Sequence, residues 1–185
     1  MNWHEYLTYD AETGNLIWKE RNSSNALMPL QWNGQFAGKV AGHSQEPKAG
    51  GAIYIRIHNK MYRAHRIVWE MHNEAIPTGV LVDHIDGDYE NNRISNLRLA
   101  TKSQNGMNRG KSARSSTGLK GVSYCKKRSM YVAGIGINGK VVSLGRYTTK
   151  GEAAVAYAKA SIRYHGAFSP FMRSSASVSA SHCAN

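Results

Sequence analysis

The spacing of hydrophobic and polar positions changes character along the chain. Leu16-Ile17-Trp18 follows the turn signal Glu12-Thr13-Gly14-Asn15, and Ala52 to His58 is apolar at alternate positions, the period of a half-buried strand. Asn59-Lys60 predicts a turn into Met61-Tyr62-Arg63-Ala64 as a hairpin partner. From His65 to His72 the period becomes helical, with Ile67, Val68 and Met71 on one face and a stop before Pro77. Val80-Leu81-Val82 then predicts a short strand running into the turn-rich Asp83-His84-Ile85-Asp86-Gly87-Asp88. After the polar Glu90-Asn91-Asn92-Arg93 comes a second strand, Asn96-Leu97-Arg98-Leu99. Thr101 or Ser103 is placed to cap a helix holding Gln104, Asn105 and Asn108.

Residues 109–118 lose all apolar periodicity and are small, polar or basic, a linker composition. Three further strands are predicted at Lys120–Cys125, Tyr131–Ile137 and Lys140–Leu144. Asn138-Gly139 supplies a two-residue hairpin turn. A helix from Lys150 to about His165 carries Ala153, Ala154, Tyr157, Ala158 and Ile162 on one face, and the Ser/Ala-rich stretch from Ser174 to Asn185 is expected to fray. The expectation is an α+β chain in two modules: residues 1–110, a basic linker 111–117, a sheet-and-helix module 118–171, and a tail 172–185.

Composition narrows the partner. The 185 residues carry 24 Lys+Arg against 12 Asp+Glu, a formal charge of +12, which favours a polyanion because each neutralised phosphate releases condensed counterions. Charge of this kind speaks to binding and not to chemistry. Cys125 and Cys183 lack the spacing of a metal knuckle, so neither a disulfide framework nor a four-cysteine zinc site is expected within one chain. No apolar run approaches the ~20 residues that span a bilayer, and the first residues lack a basic-then-apolar signal pattern. A cytoplasmic protein with no membrane partner is expected.

The ordered set Asp83-His84, Asn96 and Asn105 carries the candidate chemistry. Phosphodiester hydrolysis needs a base for water, a hard cation at the phosphate and a group that fixes the base. Histidine suits the first role, and oxygen ligands such as an Asp carboxylate and an Asn carbonyl suit magnesium. A carbonyl accepting from one imidazole nitrogen leaves the other to take a proton. Taken singly these residues have plainer readings, since Asp-His before a glycine is ordinarily a surface turn and Asn-rich loops form turns. Asp86-Gly87-Asp88 lacks the remaining ligands of a calcium loop and reads as turn. Their order within strand, loop, strand and helix is what singles them out.

Leu81 to Asp88, Asn91 to Arg98 and Ser103-Gln104-Asn105 together resemble the HNH endonucleases of bacteriophages and mobile introns. Tyr62 to Arg66 resembles the segment preceding that motif, and Trp32-Asn33 with Ala37 to Gly42 resembles its N-terminal extension. The resemblance implies a ββα-metal fold and a homing-like role. It implies His84 as general base, Asn96 as its orienting residue, and Asp83 and Asn105 as ligands of one Mg²⁺ or Mn²⁺. Arg66 is a candidate DNA contact, and His65 is left between a DNA-edge role and a packing one.

Leu119 to Val122, Tyr131 to Ala133, Ser143 to Tyr147 and Glu152 to Ala158 resemble the DNA-binding domain of plant ethylene-response factors. The strand positions that hold arginine or tryptophan there are Ser123, Cys125, Gly134, Gly136 and Ser143 here, so arginine readout of guanine is not implied. Lys120, Lys126, Lys127, Arg128 and Arg146 are the candidate contacts, directed at phosphate. The partner expected is double-stranded DNA, cut one strand at a time by a single site per chain, with monomer or dimer left open. The competing readings are a non-catalytic DNA-binding regulator on the same fold and an RNA-directed protein.

Overall fold

The structure is a computed structural model that describes residues 1–22, 29–44, 51–110 and 115–173. It is a mixed α and β chain in two compact units, Met1–Lys102 and Ser103–Asn185. Expectations for residues 111–114 of the linker and for the stretch 174–185 lie outside the described residues.

In the first unit, β1 (Leu7–Tyr9) and β2 (Leu16–Trp18) form an antiparallel hairpin, followed by α1 (Pro29–Phe36). A three-stranded antiparallel sheet runs β3 (His43–Ser44), β4 (Ile53–Ile57) and β5 (Lys60–Arg63). Its alternation is the expected one, with Ile55 and Ile57 fully buried. The β4–β5 turn is built on His58 and Asn59, both in the left-handed region at φ 48° and 60°. Helix α2 (Ala64–His72) buries Ala64, Ile67 and Val68 on one face, as the helical period predicts. These join Trp3, Leu7, Leu16, Val82 and Leu97 in one core.

Strands β6 (Leu81–His84) and β7 (Leu97–Ala100) form a second antiparallel hairpin, in register Asp83 to Arg98 and His84 to Leu97. The N-terminal hairpin braces the long loop between them. Tyr9 Oη accepts from the Ile94 N–H at 2.9 Å, and Arg93 Nε donates to the Glu12 carbonyl at 2.7 Å. At this contact Gly14 adopts φ 79°, and a Cβ there would fall 2.5 Å from the Arg93 nitrogen. Only glycine fits both the turn and the approach.

In the second unit, α3 (Lys102–Asn108) overlaps the division between units by one residue. An antiparallel sheet of β8 (Val122–Cys125), β9 (Met130–Ile137) and β10 (Lys140–Tyr147) follows, with β9 in the middle. Asn138 and Gly139 take φ 49° and 77°, the turn their pairing predicts. Helix α4 (Lys150–His165) starts at a capping box: Thr149 Oγ1 accepts from the Glu152 N–H, and the Glu152 carboxylate accepts from the Thr149 N–H. Ala153 and Tyr157 pack on Val122, Ala133 and Ile135. Among the described residues no helix is long and apolar enough to cross a membrane.

Candidate active site

Strand β6 places Asp83 and His84 next to each other at its C-terminal end. Both are buried, at 5% and 2% exposure. Buried polar groups need partners. Asp83 lies opposite Arg98 in the ladder, whose Nε and Nη2 donate to its Oδ2 at 3.0 and 2.9 Å.

His84 Nε2 meets Asn92 Oδ1 at 3.0 Å, while Asn92 Nδ2 donates to the Glu90 carbonyl at 3.3 Å. With its amide nitrogen so used, Asn92 presents a carbonyl, which only accepts, to His84. Nε2 therefore carries the proton, and Nδ1 holds the lone pair that a base requires. The ring is flanked by His65, at 4.9 Å and 80°, and by Tyr89, at 5.7 Å and 87°. Both contacts are edge-to-face, an arrangement aromatic rings prefer.

The side chain of Asn96, which the resemblance implies as the residue orienting His84, makes its hydrogen bonds within the loop. Its Oδ1 accepts from the Asp86 N–H at 3.0 Å, and its Nδ2 donates to Asp86 Oδ1 at 2.9 Å and to the Asn91 carbonyl at 2.8 Å. It ties the two ends of the loop together, and Asn92 on that loop makes the contact with His84. Burial alone would raise the Asp86 carboxyl, but donation from Asn96, the Asp88 N–H and Asn91 outweighs it and holds the group below its ordinary value. Asp86 and Asp88 act as turn residues, each accepting from a backbone N–H two residues on.

Asn105 sits half-buried on α3, in the second compact unit, and its side chain makes no hydrogen bond among the described residues. No group of three or more His, Cys, Asp or Glu suited to a metal occurs among the described residues. The Asp83 carboxylate is an oxygen donor of the kind that suits a hard divalent cation keeping most of its waters.

The basic candidates divide. Arg66 is half-buried with no ion pair or hydrogen bond among the described residues. Lys126, Lys127 and Arg128 form an exposed 3-10 turn between β8 and β9, and Arg146 is exposed on β10. Lys120 differs from these. Its Nζ donates to the carbonyls of Gly106, Met107 and Arg109 at 3.0, 2.7 and 2.6 Å, which uses all three N–H bonds of the ammonium. Burial, then the charges of Arg173 and Arg109, lowers its pKa to about 8. Lys120 caps a helix end here and has no donor left for a phosphate.

Sequence reasoning missed Asn92, Arg98 and Tyr89. Arg98 meets Asp83 through the register of β6 against β7, which the residues alone do not fix. Asn92 was hidden because an Asn-Asn doublet in a loop has an adequate explanation in turn formation.

The HNH endonuclease family matches residues 62–107. Protein 3.8 of Escherichia phage T7 is 41% identical over 81 residues, covering 44% of this chain and 67% of that protein. An uncharacterized HNH endonuclease of Acanthamoeba polyphaga mimivirus is 36% identical over 94 residues, covering 50% of this chain and 48% of the relative. A solved structure on DNA binding and cleavage by the HNH homing endonuclease I-HmuI aligns with a TM-score of 0.37 and 27% identity, covering 56% of this chain and 51% of that one. HNH nucleases generally use divalent metal ions. The residues from Tyr62 to Met107 are an HNH endonuclease domain.

Proposed function

We propose that the chain is a divalent-metal-dependent DNA endonuclease that hydrolyses one phosphodiester per engagement and so nicks duplex DNA. The observation that carries the reading is the buried His84, whose Nε2 is committed to Asn92 Oδ1 so that Nδ1 is the basic nitrogen. His84 takes a proton from water through Nδ1, the water oxygen bonds to phosphorus, and the bond from phosphorus to the 3′-oxygen breaks. Asn92 keeps the imidazole in one tautomer and steadies the imidazolium that results. Asn96 holds the loop that carries Asn92. Asp83 and Asn105 are the ligands for Mg²⁺ or Mn²⁺, which when bound supplies charge neutralisation at the phosphate and the departing oxygen.

The second unit serves as the DNA-binding module in this reading. Lys126, Lys127, Arg128 and Arg146 are exposed cations available to phosphates, which positions the enzyme without demanding a base sequence. The phage relative supports a role inside an infected bacterial cell.

The test is conversion of supercoiled plasmid with Mg²⁺, Mn²⁺ or EDTA, comparing wild type with His84→Ala. Open circle that needs metal and disappears in the variant is the expected result. Direct linearisation would keep the chemistry but replace nicking with paired sites. Tight, metal-independent binding without cutting, on substrates from the protein's own genomic context as well, would leave a non-catalytic regulator instead.

A further inference from the structure

The first turn of α2 holds polar groups that neither the core nor the chemistry above uses. His65 is only 6% exposed, and its Nδ1 is buried with no hydrogen-bond partner. An orphaned buried nitrogen costs stability, and in a native fold it calls for a partner that is not protein. Its ring lies against His84. Burial first, then the positive influences of His84, Arg63 and Arg66, pushes the His65 imidazole down to about 3, so the ring is neutral while two guanidinium charges act on it.

Those two arginines are also uncommitted. Arg63 spends one N–H on the Tyr54 hydroxyl at 3.3 Å, and its terminal nitrogens make no hydrogen bond among the described residues. Arg66 makes none at all among them, although Glu70 lies one turn further along the helix. The Glu70 carboxylate instead accepts from the Trp3 indole at 2.8 Å, so the nearest acid on α2 is engaged elsewhere. The helix start has no side-chain cap, and first-turn N–H groups lack intrahelical partners. Two guanidinium groups, an unpartnered imidazole nitrogen and an uncapped helix start all favour an anion, and the imidazole among them lies against His84.

We propose that Arg63, His65 and Arg66, at the start of α2, form a subsite for one phosphodiester group of the DNA strand that reaches His84. The subsite rests on the DNA-directed reading above and adds to it the group that fixes the strand. Arg63 and Arg66 supply charge, and His65 supplies an uncharged hydrogen bond that reports on geometry. A phosphate held there sets the distance between the strand and His84 Nδ1 independently of any cation.

The experiment is fluorescence anisotropy of the full chain with a fluorescein-labelled DNA duplex in EDTA, across a salt series, so that cleavage plays no part. Arg63→Gln and Arg66→Gln should each weaken binding several-fold and flatten the plot of log K against log salt by about 0.9. His65→Phe should weaken binding with the slope unchanged, since it removes no charge. Arg163→Gln, on α4, should leave affinity and slope as they are in the wild type. His65 is buried, so a folding check by thermal melt accompanies its variant, and the two exposure-tolerant arginine variants carry the proposal if it fails to fold. Unchanged slopes in both arginine variants would overturn the subsite even if the wild type cuts DNA. Altered slopes in a protein that never cuts with any metal would keep the subsite and sink the nuclease reading. No binding of duplex by the wild type would overturn both.

Discussion

Both units of this protein bury histidines, and they are held in opposite ways. In the second unit His165 Nε2 donates to the Gly136 carbonyl at 3.0 Å. Its Nδ1 lies 3.3 Å from Ser161 Oγ, which in turn lies 2.8 Å from Ser169 Oγ. Every atom in that chain has a partner inside the unit, and the network pins the end of α4 to β9. In the first unit His84 is held through the side chain of a loop asparagine and packs on His65, whose Nδ1 has no partner. The contrast teaches that burial alone does not mark a functional histidine. A closed network does structural work, whereas an open one beside a carboxylate is arranged for something that arrives from outside.

That contrast can be broken by substitution. The largest effect is expected at His84, where alanine should lower metal-dependent nicking by about 10²–10⁴-fold. Comparable rates in a plasmid time course would remove His84 as the base. Next, Asp83→Ala takes away the carboxylate facing Arg98 and should cost about 3–5 kcal/mol in a urea melt. The double variant with Arg98→Met should recover much of that loss in stability without recovering cleavage, which separates the charge balance of the pair from its chemistry.

His165→Phe should cost about 1–3 kcal/mol, because Ser161 and the Gly136 carbonyl lose their partner, yet leave nicking unchanged. A large drop in nicking from a folded His165→Phe would abolish the distinction between the two histidines. The last expectation concerns pH. His65 has a folded pKa of about 3 against an ordinary 6.5, so between those values the unfolded chain binds the extra proton. Stability present above pH 6.5 is then lost as pH falls toward 3, with His65 contributing at most about 1.4 kcal/mol per pH unit. Urea melts of His65→Phe should show a shallower acid limb than the wild type.

Much of the fold was legible because its signals were local. The period shift at His65, the Asn138-Gly139 turn and the helical spacing from Lys150 to His165 each depend on neighbours in the chain, and each element appears where those residues put it. The short hairpin partner Leu7–Tyr9 and α1 were not anticipated. Three residues are too few for a period, and α1 buries none of its side chains, so no apolar stripe announces it. At the site, the adjacency of Asp83 and His84 could be read directly. The partners of each could not, since Asn92 and Arg98 meet them only through the hairpin's register and loop. Lys120 shows the same limit from the other side: its charge looked available, and only the fold shows that three carbonyls already hold it.

The end of α3 bears on how this chain can be taken apart. The family match stops at residue 107, but the carbonyls that close that helix are held by Lys120, and Arg173 donates to Asn108 through both its carbonyl and its side chain. A fragment trimmed to the family boundary would expose a frayed helix terminus and carry Asn105 on it. Grafting the nuclease segment onto a different partner module therefore requires a replacement fastener for α3. A swap that ignores it is expected to look inactive for a reason unrelated to DNA recognition.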